Sequence, residues 1–267
     1  MRYLIFFCCL FCLACQSVRP IVFDKQSPRD TLSGSHFYRL TAAWKWRERD
    51  SLAVQQILHG NMPAFLQKFV PITSRYTDSA GNQYTAKMYV TPDYLAVGTD
   101  ADWARIPLTP MAAQQLADSF HCFLPTRKIV DLIYAQSKVK LEPIPMYAFR
   151  DSSVTMWQHH LIIEGQRKGR KGLIAGIKKD VVIAGKILED SRPNREAIYG
   201  WHLPNGKAIQ PLYTGHINWW VDYSHGIRLV YQTIWVNGKP YDYRTVLQHP
   251  VWKKLLSDES RTDFYRY

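Results

Sequence analysis

The sequence predicts an α+β fold in which N-terminal helices are followed by a mainly antiparallel sheet, in a single domain. A length of 267 residues fits one large domain, and a hydrophobic content of 46% is enough to form a core. Helix signals dominate residues 50–138, apart from two strands, whereas segments rich in β-branched and aromatic residues follow from residue 173. Such a succession of helices and then strands favours α+β over an alternating α/β fold.

The helices are predicted from their start signals and from the spacing of apolar residues. Asp50 can cap one helix, and Pro63 can open another. Thr109-Pro110 starts a helix with proline at the favoured first position, and Pro125 and Thr126 open another. The predicted helices span 50–58, 63–69, 109–120, 125–138 and 245–256.

The strands are predicted from runs of Val, Ile and aromatic residues bounded by turn signals. Pro204-Asn205-Gly206 indicates a turn, and Asn237-Gly238 is a strong signal for a two-residue hairpin. The predicted strands span 83–90, 94–98, 173–183, 197–201, 209–221 and 227–236. The basic segment 166–171 is expected to be an exposed loop.

The first residues have the pattern of an export signal. Arg2 precedes an uncharged apolar run over 3–14, which is too short to span a bilayer but suits a signal peptide. Because Ala14 precedes Cys15, the pattern is typical of a bacterial lipoprotein whose cysteine is lipidated. We therefore expect a signal peptide over 1–14, a tether over 15–35 beginning at the lipidated cysteine, and one domain over 36–267. Ordinary cleavage and an uncleaved anchor remain alternatives.

This interpretation changes the meaning of the cysteines and of the charge. Of five cysteines, three leave with the signal and Cys15 carries lipid, so that only Cys122 remains in the domain. Loss of Arg2 lowers the net charge from +12 to +11. On an exported protein this charge favours a cell-wall or other acidic glycan polymer as partner, with the membrane reached through the lipid anchor only and no nucleic acid expected. The expected location is the bacterial cell envelope, on the periplasmic or outer-membrane side.

Residues 199–228 are unusually rich in polar side chains for predicted β structure. Asp222 and His225 flank a tight turn, so a hydrogen bond between the carboxylate and the imidazole is expected. In one straight strand, His216 and Asp222 would lie about 20 Å apart and could not touch.

Cys122 is the candidate nucleophile. It precedes a predicted helix, whose N-terminus would favour the thiolate. In this hypothesis His225 is the base, Asp222 orients it, and His216 is a further catalytic candidate. The alternative is a buried structural thiol.

A metal site is the competing hypothesis. His202, His216, Asp222 and His225 are all acceptable zinc ligands, but no compact signature such as HExxH is present. We therefore expect no cofactor, with zinc as the alternative. His159 and His160, if they lie on a strand, point to opposite faces and cannot both join one site.

Several residues are candidates for substrate binding. Arg228 or Lys178 could bind a substrate carboxylate or stabilise developing negative charge. Lys178 belongs to a run of three charges inside an apolar strand, where alternation turns at least one toward the core. The remaining candidates, which include aromatic rings suited to sugars, are Trp201, His202, Tyr223 and Ser224.

Five segments together resemble an uncharacterised family of exported bacterial proteins. They are 124–131 (LPTRKIVD), 178–182 (KKDVV), 199–202 (YGWH), 209–212 (IQPL) and 221–228 (VDYSHGIR). The resemblance implies one domain and an exported setting, but no activity. The order of Cys122 and the later histidines is similar to that of papain-like cell-wall cysteine peptidases, which implies amide hydrolysis.

The sequence therefore predicts an exported hydrolase of a cell-envelope or extracellular polymer, in its sharpest form a cysteine peptidase or amidase acting on peptidoglycan. The alternatives are a non-catalytic lipoprotein that binds acidic glycan or peptidoglycan, and a metal-dependent hydrolase that uses histidine and aspartate.

Overall fold

Helices are distributed along the described chain, between and after the strands. The computed structural model describes residues 31–267. Its helices are α1 (Gly34–Leu40), α2 (Trp46–Leu58), α3 (Pro110–Ser119), α4 (Arg127–Gln136), α5 (Ser153–Arg167), α6 (Lys186–Glu189), α7 (Tyr243–Gln248) and α8 (Lys253–Leu256), with a 3₁₀ turn at Ala64–Gln67. Thr109 and Thr126 cap α3 and α4 through their side chains, as the sequence predicts. No helix of these residues is long and apolar enough to cross a membrane.

The predicted start of one helix is wrong, and another helix is missed. Asp50 does not begin α2, which starts at Trp46; its carboxylate instead accepts hydrogen bonds from the backbone N–H (2.9 Å) and hydroxyl (2.7 Å) of Thr109, at the start of α3. Helix α5 is the missed helix, and it carries His159 and His160, so that the argument for residues on a strand does not apply to them. An aspartate that caps a distant helix leaves the same sequence signal as one that caps its own.

The beginning of the domain lies earlier than predicted. Gly34 and Ser35 already belong to α1, and Leu32 is held by hydrogen bonds to Gln56 and Asn61. The described end of the predicted tether is therefore part of the fold. The predicted signal peptide, Cys15 and most of the tether lie outside the described residues.

The strands form two main sheets. They are β1 (Val70–Thr77), β2 (Gln83–Val90), β3 (Ala96–Gly98), β4 (Trp103–Arg105), β5 (Cys122–Phe123), β6 (Val139–Lys140), β7 (Ile174–Ala175), β8 (Lys179–Val182), β9 (Ala197–His202), β10 (Ala208–Tyr213), β11 (His225–Gly226), β12 (Val230–Tyr231), β13 (Thr233–Val236) and β14 (Lys239–Asp242). The larger sheet has the order β14-β13-β2-β12-β5, with β1 also paired to β2. The smaller sheet has the order β10-β9-β8-β11, in which only β8 and β11 are parallel.

The helices and mainly antiparallel sheets confirm the predicted α+β class in one domain. The hairpin at Asn237-Gly238 is also confirmed, since both residues have the positive φ that this turn needs. The prediction of one strand over 209–221 is wrong, because β10 ends at Tyr213. The chain then runs irregularly to β11, and this departure positions the candidate site.

Candidate functional site

Two histidines and a glutamate meet at one end of the smaller sheet. Glu196 directly precedes β9, His216 lies in the irregular segment after β10, and His225 begins β11. A β-bridge between Arg195 and Ile217 holds the first two segments side by side, and the backbone N–H of Glu196 donates to the carbonyl of His216 at 3.3 Å. The arrangement brings together residues that are up to 29 positions apart.

One carboxylate oxygen contacts both imidazoles. Oε1 of Glu196 lies 2.8 Å from Nε2 of His225 and 3.2 Å from Nδ1 of His216. The other oxygen, Oε2, is buried and has no hydrogen-bond partner among the described residues. One potential ligand atom from each of the three residues lies within 4.8 Å of the others. We call these three residues the Glu196 cluster.

Asp222 supports His225 from the opposite side. Its Oδ1 lies 3.1 Å from Nδ1 of His225, which confirms the hydrogen bond predicted across the turn. The same oxygen accepts from the backbone N–H (2.8 Å) and the hydroxyl (2.5 Å) of Ser224, while Oδ2 accepts from Arg150 at 2.7 Å. The carboxylate is therefore fixed, and the ring of His225, whose Nδ1 faces Asp222, presents Nε2 to Glu196.

The electrostatics of the site follow from two buried carboxylates around one imidazole. Burial alone would lower the pKa of His225, but Glu196 and Asp222 outweigh it and raise that pKa to about 9. Burial acts to raise the pKa values of Glu196 and Asp222, yet both are lowered because His225 is close. The carboxylates of Glu196 and Asp222 therefore favour positive charge between them.

The cluster is closed on two sides and open on one. The side chains of Glu196 and His225 are 0% exposed, whereas that of His216 is 28% exposed. The rings of Tyr213 and Trp220 flank His216, with centroids 5.2 Å and 6.4 Å away. A ligand can therefore reach the cluster from the side of His216.

The Glu196 cluster has the donor set of a divalent-metal centre. Two imidazoles, one carboxylate and an open fourth position are found in catalytic zinc sites, whose neighbouring ligand atoms are about 3.3 Å apart in a tetrahedron. The distances of 2.8 Å and 3.2 Å from Glu196 are close to that spacing. Asp222 would then be the carboxylate behind a ligating histidine, the common outer partner in such sites.

The predicted cysteine–histidine pair is not formed. Cys122 is buried on β5 in the larger sheet, and its Sγ donates to the carbonyl of Phe120 at 3.2 Å. Both ring nitrogens of His225 face carboxylates instead. Burial raises the pKa of the Cys122 thiol, and α4 begins only at Arg127, so that the helix does not favour the thiolate. The structure therefore contradicts Cys122 as nucleophile and favours the buried structural thiol.

Arg228 and Lys178 are not available to a substrate. Arg228 is fully buried, donates to the carbonyls of Thr91 (2.8 Å) and Ile174 (2.7 Å), and lies over the ring of Tyr94. Lys178 is 2% exposed and hydrogen bonds to the carbonyl of Tyr223. Both cations hold backbone segments together, which corrects their predicted role.

The other predicted binding residues are also buried. His202 is paired with Asp131 at 2.9 Å and stacks on Tyr134, away from the cluster. Ser224 is fully buried and positions Asp222. Trp201 and Tyr223 are in mutual ring contact and are 8% and 1% exposed.

His159 and His160 are also buried and bond to other interior side chains. His159 is fully buried and lies 3.1 Å from Nζ of Lys178, while His160 faces Arg105. Burial lowers the pKa of His159 to about 2, so its ring is neutral. Neither residue belongs to the Glu196 cluster.

Glu196 is the functional candidate that the sequence reasoning missed. It stands just before an apolar strand, where an acidic residue is ordinarily exposed, yet it is fully buried. Its burial at the start of β9 depends on contacts with two distant segments. The metal alternative listed His216 and His225 among four acceptable ligands, and the structure groups these two with Glu196 rather than with His202 or Asp222.

Comparisons with protein-family models, with curated proteins and with solved structures find no match. The functional conclusion therefore depends on the geometry of the site and on the sequence pattern.

Proposed function

We propose that this protein is an exported, lipid-anchored hydrolase of a cell-envelope polymer, with a divalent-metal centre at Glu196, His216 and His225. The observation that carries the proposal is the convergence of these three side chains, of which His216 is partly exposed, with Asp222 behind His225. Structural metal sites are closed by four protein ligands, whereas catalytic sites keep a position for water or substrate.

The chemistry suits hydrolysis of an amide or ester carbonyl. A divalent cation in such a site lowers the pKa of a bound water and polarises the carbonyl that is attacked. Glu196 and His225 would hold the cation in a buried setting, and Asp222 would keep Nε2 of His225 directed at it. The partly exposed His216 would complete the site at its solvent side.

The sequence supports the cellular setting and the substrate class. The apolar run before Cys15 is typical of a lipoprotein signal, and the net charge after its removal is +11, one below the +12 of the whole chain. Cell-wall and other acidic polymers attract a protein of this charge. Peptidoglycan offers both negative charge and amide bonds.

The test combines metal binding with polymer cleavage. The full-length chain, purified in detergent, is titrated with zinc chloride by calorimetry and then incubated with purified peptidoglycan, and soluble fragments are measured. We expect one zinc ion per chain and release of fragments. The variant His216→Ala, chosen because this residue is the least buried ligand, should weaken zinc binding by more than about 100-fold, beyond the cost of losing an outer partner, and should abolish cleavage.

His202→Ala is the matched control, since it removes a histidine that is also paired with a carboxylate but lies outside the cluster. It should retain zinc binding and cleavage, with circular dichroism confirming the fold of both variants. Zinc binding that is unchanged in His216→Ala would reject the metal centre. Cleavage that is unchanged in His216→Ala would reject this cluster as the reaction centre.

A further inference from the structure

A pocket beside the Glu196 cluster combines exposed tryptophans with a buried arginine. It has a volume of about 380 Å³ and lies between the start of α2, the residues before α5 and the segment that leads to β11. Its walls include Trp44, Lys45, Arg49, Trp219 and Trp220.

Three of the four tryptophans that line this pocket are exposed, whereas Trp46 is partly buried. All nine tryptophans lie in the described residues, and the three that are exposed, Trp44, Trp219 and Trp220, all line this one pocket. Single exposed apolar side chains are ordinary, but a group of them around a concave surface marks a binding site. Flat indole faces suit the apolar C–H faces of sugar rings.

Arg49 supplies a buried positive charge with an unused hydrogen-bond donor. It is 1% exposed, its Nη1 donates to the carbonyl of Asp151 at 3.0 Å, and its Nε is buried without a hydrogen-bond partner. Among the described residues no carboxylate forms an ion pair with it, although Asp50 and Asp151, the latter also lining the pocket, are close enough to oppose the lowering of its pKa by burial. A buried guanidinium with an unused donor is suited to a carboxylate ligand.

The pocket adjoins the candidate metal centre through Trp220. Trp220 lines the pocket, and its ring centroid is 6.4 Å from that of His216, the open side of the cluster. Val221 lines the pocket as well and directly precedes Asp222. A polymer that occupies the pocket can therefore extend to the cluster.

We propose that this pocket binds a sugar ring that carries a carboxylate, with the ring against Trp219 and Trp220 and the carboxylate at Arg49. Its role as a substrate subsite rests on the proposed hydrolase, whereas binding itself does not. The carboxylate can come from the lactyl group of a muramic acid or from a uronic acid, and both place a negative group beside a pyranose ring.

The test is calorimetric binding of three sugars to the full-length chain. The probes are the disaccharide of N-acetylglucosamine and N-acetylmuramic acid, digalacturonic acid, and neutral chitobiose. We expect at least one acidic probe to bind ten-fold or more tightly than chitobiose, and the two acidic probes distinguish the sources of the carboxylate. Trp219→Ala should weaken that binding ten-fold or more, and Arg49→Met should remove the preference for the acidic sugar.

Tyr147→Ala is the matched control, because Tyr147 is an aromatic residue that is 88% exposed and lies outside the pocket. It should bind as the unaltered chain does. Since Arg49 is buried and its variant can fail to fold, Trp219→Ala decides the outcome independently. Equal binding of chitobiose, no binding of either acidic probe, or unchanged binding by Trp219→Ala would overturn the proposal.

The two proposals can fail separately. Glu196→Gln should lose zinc and cleavage but keep its affinity for the acidic sugar. Binding of the acidic sugar by a chain that cleaves no polymer would overturn the hydrolase and leave the pocket in place, as in a glycan-binding lipoprotein. Cleavage without binding of either acidic sugar would overturn the pocket alone.

Discussion

His225 is held between two buried carboxylates, and this arrangement is the central feature of the site. Burial of Glu196 and Asp222 is costly unless positive charge compensates it. In the described residues the compensation comes from His225, from the partly exposed His216 and from Arg150 at the surface. The remaining oxygen of Glu196 has no partner there. A divalent cation would satisfy that oxygen and increase the positive charge.

Asp222→Asn tests whether Asp222 supports a metal ligand. The substitution keeps the shape of the side chain but removes the charge that fixes the proton on Nδ1 of His225. We expect zinc affinity to fall by about 10- to 100-fold, the usual cost of losing such an outer partner. Calorimetric titration with zinc measures it, and an affinity within two-fold of the unaltered chain would contradict this role.

Cys122→Ala tests the correction to the predicted nucleophile. We expect zinc binding and polymer cleavage to be retained, with the free energy of unfolding lowered by about 1 to 2 kcal/mol through loss of a buried side chain. In the native chain, iodoacetamide should label this thiol far more slowly than in denaturant, because burial raises its pKa and limits access. Activity measurements and peptide mapping by mass spectrometry check both points. Loss of cleavage with zinc binding intact would restore the cysteine hypothesis.

At the scale of residues, sequence reasoning succeeds where contacts are local. The hydrogen bond between Asp222 and His225 spans three positions and follows from a tight turn. The pairing of Glu196 with His225 spans 29 positions. It depends on the order of the smaller sheet, in which β8 lies between β9 and β11. Cys122 was singled out because it is the lone thiol of the domain, a fact of composition that says nothing about its surroundings.

At the scale of elements, the site depends on where strands end. Strand β10 stops at Tyr213, and the irregular segment that follows turns His216 toward Glu196. Strand β11 is only two residues long and pairs in parallel with Lys179 and Asp180 of β8. Caps and hairpins were predictable because each is encoded within a few residues, but the early end of β10 was not, since apolar residues continue to Val221.

Gly226→Ala tests how tightly β11 must pack. A β-carbon at this position would lie 2.6 Å from Cβ of Lys178 and from the ring of Tyr94, so the strand would have to move. We expect a loss of about 1 to 3 kcal/mol in the free energy of unfolding, together with weaker zinc binding because His225 is the adjacent residue. Chemical denaturation and zinc titration measure the two effects.

Gly165→Ala is the matched control for this substitution. Gly165 lies in α5, and a β-carbon there would meet nothing within 4 Å. We expect the free energy of unfolding to rise by about 0.5 to 1 kcal/mol, since alanine favours the helix, and zinc binding to stay the same. Equal stability of the two variants would contradict the close packing of β11.

At the scale of the whole molecule, Lys178 links the helical layer to the smaller sheet. Its Nζ lies 3.1 Å from Nδ1 of His159 on α5 and contacts the carbonyl of Tyr223. Burial, reinforced by Arg105, lowers the pKa of Lys178 to about 7, although Asp222 and Asp93 act to raise it. In the folded chain Lys178 therefore releases its proton near pH 7. In the unfolded chain it keeps the proton up to the ordinary lysine pKa near 10.5.

This difference predicts how stability depends on pH. Between pH 7 and 10 the unfolded chain binds more protons at Lys178, so this group makes the free energy of unfolding rise with pH. Below pH 7 Lys178 is protonated in both states. The folded chain then bears the full free-energy cost of burying the charged ammonium group. We expect the stability of the unaltered chain relative to Lys178→Met to increase from pH 6 to pH 9, as measured by urea denaturation. A constant difference over that range would contradict the shifted pKa.

The class of the fold was predictable from the sequence, while the arrangement of the site was not. Helix caps, hairpin turns and apolar periodicity are local and correctly indicate α+β. Helix α5 is not predictable from apolar spacing, because its buried face carries Thr155, His159, His160 and Arg167. The buried side chains of Lys178 and Arg228 have the chemistry of substrate ligands but lie in the interior. Their partners are backbone carbonyls of other segments, which no local pattern reveals.

The most direct test of the central claim is anomalous diffraction at the zinc edge from crystals grown with zinc chloride. We expect a strong peak with Oε of Glu196, Nδ1 of His216 and Nε2 of His225 about 2.0 to 2.2 Å from it, and with a fourth position open toward Trp220. A map without a peak there, in which Glu196 keeps its direct hydrogen bonds to both histidines, would contradict the metal centre.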